Sequence, residues 1–183
     1  MGTIGLARDV LQALANARGS LDARGPGRPR TEAAAGSRGV MAKPRRVEEI
    51  MRREFVSLQA GDRLDFVADI MSLGRIRHLP VLEGGRLVGI VSHRDLLASS
   101  LSRAIDVDPK DRRTFLRSVD VGEAMTREVV TVGPETPVAE AARLLLRHRV
   151  GCLPVVDDAG APVGLVSESD LLRAAYLDDG EDV

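Results

Sequence analysis

An internal repeat restricts the fold of this chain more than any other feature of its sequence. Residues 47–97 recur as residues 121–172, and the offset is 74 positions up to Pro80 and Pro154. One residue is then inserted in the second copy, so the offset becomes 75. Similarity over a whole unit at a fixed spacing indicates two copies of one supersecondary unit. Each copy is small, so we expect the two to pack against each other.

Each copy begins with the same pattern of predicted elements. A short strand is expected at 55–58 in the first copy and at 129–132 in the second. The turns "QAGD" and "GPET" follow, and each is expected to supply the N-cap of a helix whose apolar residues recur with a period of 3.6.

Each copy ends with two strands and a second helix. The strands are joined by Gly84-Gly85 in the first copy, a two-residue hairpin signal, and by the longer "DDAGAP" in the second. The closing helices are expected to begin at Ser92 and Ser167. The order β-α-β-β-α predicts an α/β (α+β) fold made of two pseudo-symmetric units.

The repeat divides the chain into five segments. Residues 1–46 are rich in Gly, Ala, Arg and Pro without periodicity, which predicts a basic, mostly disordered arm. The two units are expected at 47–102 and 121–176, with a helical connector at 103–120. Residues 177–183 form an acidic tail.

Composition restricts the class of protein. Aromatic residues make up 2% of the chain, so the core must be aliphatic. Cys152 is the single cysteine, which excludes an intrachain disulfide and a cysteine-rich zinc site and predicts a cytoplasmic location. It precedes a Leu-Pro on a predicted buried strand, where cysteine behaves as a small apolar residue. We expect no membrane segment, because no apolar run approaches the length of a span.

One motif follows the last strand of each copy, as "GIVSHRD" and "GLVSESD". Its shared positions are Gly89, Ser92 and Asp95 in the first copy and Gly164, Ser167 and Asp170 in the second. A helix N-terminus favours anions, and a carboxylate accepts two hydrogen bonds from a ribose diol. The same Ser-x-x-Asp spacing is also that of a capping box, so the motif is compatible with a ligand cleft or with a purely structural cap.

The β-α-β-β-α order, the Leu-Pro-Val before the hairpin and the Ser-x-x-Asp motif together resemble tandem CBS domains, which form a Bateman module. The resemblance covers residues 47–176. It implies two sheets packed as a pseudo-symmetric pair, with clefts that bind an adenosine nucleotide (AMP, ADP or ATP) or S-adenosylmethionine as a regulatory ligand. It implies no catalysis and no obligatory cofactor. Homodimers and an effector protein are the partners that it implies.

The resemblance also implies the roles of individual residues. Asp95 and Asp170 take the ribose, with the Ser92 and Ser167 hydroxyls nearby, and residues before the Leu-Pro take phosphate. The implied ligand-binding set is Ser57, Arg77, His78, Pro80, Gly89, Ser92, Arg94, Asp95, Thr131, Pro154, Gly164, Ser167 and Asp170. Gly151 and Cys152 replace Arg77 and His78 in the second copy. We therefore expect the cleft at Arg77 to prefer a charged nucleotide and the other cleft to be weaker or empty.

Two catalytic interpretations fail on the sequence. His93-Arg94-Asp95 has the letters that open a kinase catalytic loop, but the second copy lacks the histidine and the arginine, and Ser100 stands where that loop needs asparagine. The three histidines of the chain are scattered without the spacing of a zinc site.

Two further functions stay open on the sequence. The arm has nine basic and three acidic residues, a net charge of +6, and Gly27-Arg28-Pro29-Arg30 within it resembles an AT-hook core that would suit a DNA-associated regulator. The remainder carries −7, which argues against nucleic-acid binding by the two units. A degenerate pair that acts only as a dimerisation scaffold is the other alternative. Translation from Met1 or from Met41 is compatible with the sequence.

Overall fold

The computed structural model describes residues 45–101 and 109–176. The predicted disordered arm with its Arg-Pro motif and the predicted acidic tail lie outside the described residues. The part of the connector before Pro109 lies outside them too.

The first unit is a three-stranded sheet with two helices. Its elements are β1 (Leu58–Gln59), α1 (Leu64–Gly74), β2 (His78–Glu83), β3 (Arg86–Ser92) and α2 (His93–Leu101). The sheet order is β1-β2-β3, in which β1 runs parallel to β2 and β2 runs antiparallel to β3. The Gly84-Gly85 turn joins β2 to β3 with φ angles of 56° and 79°, which is the left-handed backbone that a two-residue hairpin requires.

The second unit repeats this arrangement with a smaller sheet. Its elements are α4 (Val121–Ala124), α5 (Val138–His148), β4 (Cys152–Val156), β5 (Pro162–Ser167) and α6 (Glu168–Tyr176). β4 and β5 form an antiparallel pair. The mixed helices and strands confirm the predicted α+β class. None of the helices within the described ranges is both long enough and apolar enough to cross a membrane.

The first strand of each unit is shorter than predicted. The expected strand at 55–58 is reduced to β1, and the one at 129–132 to a single bridge between Val132 and Val155. The reason is that the residues before these positions do not run beside their own sheet. Arg52 instead pairs with β5 of the other unit, so the chain between it and β1 crosses the molecule.

The polar residues of the predicted N-cap turns have a different role. The Asp62 carboxylate accepts a hydrogen bond from the Gln59 backbone N–H at 2.8 Å, and Thr136 Oγ1 accepts one from Gly133 N–H at 3.1 Å. Both side chains therefore close the turn. The N-cap positions of α1 and α5 are Arg63 and Pro137, neither of which makes a side-chain capping hydrogen bond.

Each unit contributes its opening residues to the core of the other unit. Val47 and Met51 are buried in the cluster that includes α5, β4 and β5. Val121 and Met125 are buried in the cluster that includes α1, β2 and β3. The two cores are thus built from exchanged segments, and neither unit completes its core alone.

Two short backbone bridges hold the exchanged segments in place. Arg52 exchanges two hydrogen bonds with Leu165, both 2.9 Å long. Thr126 exchanges two with Ile90, at 2.9 and 3.0 Å. The pairs occupy equivalent positions of the repeat, so the exchange obeys the same pseudo-symmetry as the sequence.

Both bridges depend on a glycine in the last strand. A Cβ atom on Gly164 would lie 2.7 Å from Met51 Sδ and 3.0 Å from the Arg52 carbonyl oxygen. A Cβ atom on Gly89 would overlap Met125 Sδ and lie 3.2 Å from the carbonyl oxygen of Thr126. Only glycine lets the crossing segment approach this closely.

The described part of the connector is the helix α3 (Pro109–Ser118), which packs against α1 of the first unit. Arg113 pairs with Asp69 at 2.8 Å, and Arg117 pairs with Asp65 at 3.2 Å. Leu116 is buried in the core of the first unit. The helix thus belongs structurally to the first unit rather than lying free between the two.

Candidate functional site

The first Ser-x-x-Asp motif forms a capping box at the junction of β3 and α2. The backbone N–H and the hydroxyl of Ser92 both donate to Asp95 Oδ2, at 2.7 and 2.6 Å. The Asp95 N–H donates to Ser92 Oγ at 3.2 Å. The second carboxylate oxygen, Oδ1, has no hydrogen-bond partner within residues 45–101 and 109–176. The cap thus fixes the carboxylate and leaves one oxygen available.

The second motif forms the same cap, but its other carboxylate oxygen has a hydrogen-bond partner. The N–H and hydroxyl of Ser167 donate to Asp170 Oδ2 at 2.9 and 2.5 Å. Oδ1 of Asp170 accepts a hydrogen bond from Arg52 Nε at 2.9 Å. Asp170 is 7% exposed, whereas Asp95 is half-buried. The two copies of the motif are therefore not equivalent.

A cleft of about 700 Å³ lies between the two units. Residues of the first unit on its wall include Arg77, His78, Ser92, Arg94 and Asp95. Residues contributed by the second unit include Thr126, Glu128, Leu146, Arg149, Gly151 and Glu168. Its size is in the range of small-ligand sites, which span roughly 300–1,000 Å³.

The structure brings together the two stretches that precede the Leu-Pro of each copy. Gly151 lies against His78, since a Cβ atom at Gly151 would be 3.1 Å from His78 Cε1. Gly151 and Cys152 thus line the same cleft as Arg77 and His78, rather than a separate cleft as the sequence suggested. The physical reason is the pseudo-symmetry, which places the starts of β2 and β4 next to each other.

The charges on the cleft walls are of both signs. Three arginines line it, and none of them forms an ion pair within the described part of the chain; they are Arg77, Arg94 and Arg149. Three carboxylates also line it, namely Asp95, Glu128 and Glu168. Because the formal charges of these groups balance, the cleft does not attract anions in general, and recognition must come from the placement of individual groups.

His78 is uncharged in this setting at neutral pH. Burial lowers the pKa of His78 below its usual value of 6.5, and the neighbouring Arg77 guanidinium lowers it further. The carboxylates of Asp95 and Glu168 act in the opposite direction, and Arg94 acts in the same direction as Arg77. A negative ligand group next to the imidazole would favour its protonated form.

Cys152 lines the cleft without the properties of a nucleophile. Burial raises the pKa of the Cys152 thiol to about 12, and the nearby Asp170 carboxylate adds to the effect. The thiol therefore stays protonated at neutral pH, whereas the reactive form of cysteine is the thiolate. In the described ranges no three His, Cys, Asp or Glu side chains are grouped in a way that could hold a metal ion.

The cleft contains five of the thirteen residues expected from the sequence, namely Arg77, His78, Ser92, Arg94 and Asp95. The other eight do not line it; they are Ser57, Pro80, Gly89, Thr131, Pro154, Gly164, Ser167 and Asp170. Of these, the two prolines are buried within strands and the two glycines lie under the crossing segments. Ser167 and Asp170 form the second capping box.

Sequence reasoning missed most of the wall contributed by the second unit. Arg149 is the clearest example, because it takes the left-handed backbone with φ 54° at the C-cap of α5. Arg75 has φ 51° at the equivalent position of the repeat, so the pair is visible once the two copies are aligned. Leu146, Glu128 and Glu168 carry no comparable signal in the sequence.

Comparison with known proteins identifies the family that shares this architecture. The model of the CBS domain matches the chain twice, at residues 47–102 and 121–177. A CBS domain-containing protein of Dictyostelium discoideum is 34% identical over 127 residues, which cover 69% of this chain and 88% of that protein. A homoserine O-acetyltransferase of Methanococcoides burtonii is 31% identical over 128 residues, which cover 69% of this chain but 23% of the enzyme. The chain thus spans about a quarter of that enzyme.

Solved structures share the fold. A crystal structure of CBSX2 in complex with AMP superposes with a TM-score of 0.61 at 29% identity, over 71% of this chain and 95% of that one. The CBS domain pair of protein MJ0100, in complex with 5′-methylthioadenosine and S-adenosyl-L-methionine, gives a TM-score of 0.62 at 25% identity, over 73% and 97%. The repeat, the exchanged segments and these similarities together show that the chain belongs to the CBS domain family, as a tandem pair in an α+β Bateman module.

Proposed function

We propose that this chain is a regulatory sensor that binds an adenosine-type ligand in the cleft between its two units. The observation that carries the proposal is the state of Asp95. Ser92 fixes its carboxylate through one oxygen, and its other oxygen, on the wall of a cleft of ligand size, has no hydrogen-bond partner among the described residues.

Asp95 has the chemistry to hold a ribose. An ionised carboxylate accepts hydrogen bonds only, and the two lone pairs of Oδ1 suit the two hydroxyls of a diol, since those of Oδ2 are taken by Ser92. Two hydrogen bonds from Ser92 hold the side chain before any ligand arrives. This preorganisation reduces the entropy that binding would otherwise cost.

The rest of the cleft suits the other parts of a nucleotide. Arg77, Arg94 and Arg149 supply guanidinium groups for phosphate oxygens. Leu97 and Leu146 are exposed by 39% and 77% although they are large and apolar, and both line the cleft. An adenine base that packed on them would remove this apolar surface from water.

The relatives favour this class of ligand and a regulatory role. The structural neighbours CBSX2 and the MJ0100 pair hold AMP, and methylthioadenosine with S-adenosylmethionine, respectively. The aligned part of the homoserine O-acetyltransferase is a minor share of that enzyme. We therefore assign this CBS pair a regulatory rather than a catalytic function, and leave AMP, ADP, ATP and S-adenosylmethionine as the ligands to compare.

A ligand in this cleft would touch both units at once. It would thereby change how the units pack. We propose that this change alters the geometry of a dimer or the affinity for an effector protein. α3 is the candidate output element, because its ion pairs to Asp65 and Asp69 fasten it to the first unit. Unchanged hydrogen exchange of α3 under saturating ligand would contradict this route.

The test is a thermal-shift panel of AMP, ADP, ATP, S-adenosylmethionine and NAD on three proteins. A ligand at 100 times its Kd should stabilise the wild type by about 2.7 kcal/mol, a shift of several degrees. Asp95→Asn should abolish the shift while retaining most of the cap, because the amide oxygen still accepts from Ser92. Asp158→Asn, at an exposed carboxylate outside the cleft, is the matched control and should keep the shift. A panel without any shift, or a full shift in Asp95→Asn, would refute the proposal.

A further inference from the structure

We infer that Arg52 prevents a ligand from binding at Asp170, the counterpart of Asp95 in the second motif and here called the second position. The module would then bind one adenosine-type ligand per chain, at Asp95, the first position. The inference rests on the proposed function for the first position. It adds a stoichiometry and names the residue that determines it.

Arg52 and Thr126 occupy equivalent backbone positions. Arg52 pairs with Leu165 on β5, and Thr126 pairs with Ile90 on β3, each through two reciprocal hydrogen bonds of 2.9 to 3.0 Å. Each residue thus lies on the crossing segment beside the strand that leads into a Ser-x-x-Asp cap. Any difference between the two positions therefore comes from the side chain and not from the backbone.

The side chains have opposite effects on the two aspartates. Arg52 reaches Asp170 and donates from Nε to Oδ1 at 2.9 Å, whereas Thr126 lines the first cleft and makes no hydrogen bond to Asp95. On Asp95, Oδ1 is the oxygen that has no partner within the described ranges. The guanidinium therefore takes the place that a ribose hydroxyl would need on Asp170, and it leaves this carboxylate only 7% exposed.

A ligand at Asp170 would have to displace this ion pair. It would replace a hydrogen bond between two opposite charges with one from an uncharged hydroxyl to the carboxylate, which lacks the attraction between the charges. Arg52 itself is 59% exposed, so its guanidinium would return to water, but the carboxylate would lose its cationic partner.

The residues after each serine add a second, independent difference. His93 and Arg94 follow Ser92, whereas Glu168 and Ser169 follow Ser167. Ser169 stands at the position equivalent to Arg94, so a phosphate next to the second cap would lack that guanidinium as a partner. The second position therefore offers less to both the ribose and the phosphate of a nucleotide.

The experiment exchanges the two side chains and counts bound AMP per chain by isothermal titration calorimetry. The wild type should bind one AMP. Arg52→Thr, which installs the residue found at the equivalent position, should free Asp170 and raise the number to two. Thr126→Arg, which places a guanidinium beside Asp95, should lower it to none. Arg53→Thr is the matched control and should leave the number at one. Arg53 is exposed, and among the described residues its side chain donates only to the Glu48 carbonyl, at 3.3 Å.

The outcomes separate this inference from the proposed function. Two AMP molecules on the wild type, or one on Arg52→Thr, would overturn the closing role of Arg52 and leave the first position intact. No AMP on the wild type but one on Arg52→Thr would support the closing role and reject AMP as the ligand of the first position. Absence of AMP binding by both proteins would reject the closing role for AMP, and the thermal-shift panel would decide the first position separately. The double variant Arg52→Thr with Thr126→Arg should bind one AMP whose affinity now depends on Asp170 and not on Asp95.

Discussion

At the scale of single residues, His78 shows how the interface between the units sets the chemistry of the cleft. Its imidazole is half-buried against Gly151 of the other unit and lies near Arg77, Arg94, Asp95 and Glu168. Burial and the arginines together outweigh the two carboxylates, so the pKa of His78 is lowered. A negatively charged ligand would therefore meet a neutral His78, and its charge would favour protonation of the imidazole.

The lowered pKa of His78 predicts a loss of stability on acidification. Between the unfolded pKa of 6.5 and the lower folded pKa, the unfolded chain binds more protons, so the free energy of unfolding falls as the pH decreases through this window. His78→Gln should remove this part of the pH dependence, and His148→Gln, at an exposed histidine of α5, should retain it. Urea unfolding at pH values from 7.5 to 5 measures the difference. Parallel curves for wild type and His78→Gln would contradict the prediction.

At the scale of elements, the crossing segments organise the pair more than the regular strands do. β1 has two residues and its counterpart is a single bridge, yet the segments just before them are buried in the opposite core. The close approach of each segment depends on a glycine in the last strand. The glycine of the repeated motif is thus explained by packing, and neither Gly89 nor Gly164 lines the cleft between the units.

Gly164→Ala should destabilise the protein by roughly 1 to 3 kcal/mol, the usual cost of overpacking. The new methyl group would press on Met51 Sδ at 2.7 Å and on the backbone oxygen of Arg52 at 3.0 Å, and the backbone cannot move without loosening its bridge. Gly61→Ala is the control, because nothing lies within 4 Å of a Cβ atom there, and it should be neutral within about 0.5 kcal/mol. Denaturant unfolding of both variants measures the effect. Equal stability of the two would show that the crossing segment shifts at no cost.

At the scale of the whole molecule, the exchanged segments make the two units one folding unit. Each core loses two buried side chains if the other unit is absent, namely Val47 and Met51 from the second core or Val121 and Met125 from the first. The cleft has walls from both units, so it too exists only in the assembled pair. A ligand bound there would contact the same interface on which folding depends.

The shared cores predict a single cooperative unfolding transition. Val47→Ala removes two methyl groups from a fully buried position of the second core and should cost about 2 kcal/mol. Hydrogen exchange should then accelerate in β2 and β3 of the first unit as well as in β4 and β5, even though the substituted residue packs only on the second core. Exchange that accelerates in the second unit alone, or two separate melting transitions, would show that the units fold independently.

Local rules within the sequence determined much of the architecture. The repeat predicted two β-α-β-β-α units, Gly84-Gly85 predicted the hairpin, and the spacing of Ser92 and Asp95 predicted a cap, because each feature depends on contacts over a few residues. The tertiary structure alone decided which segment completes which core. It also decided that Arg52 meets Asp170 across 118 positions of sequence, whereas Asp95 keeps one oxygen without a partner in the described part of the chain. Such pairs depend on how two apolar surfaces dock, and docking geometry leaves no periodic or local signal in the chain.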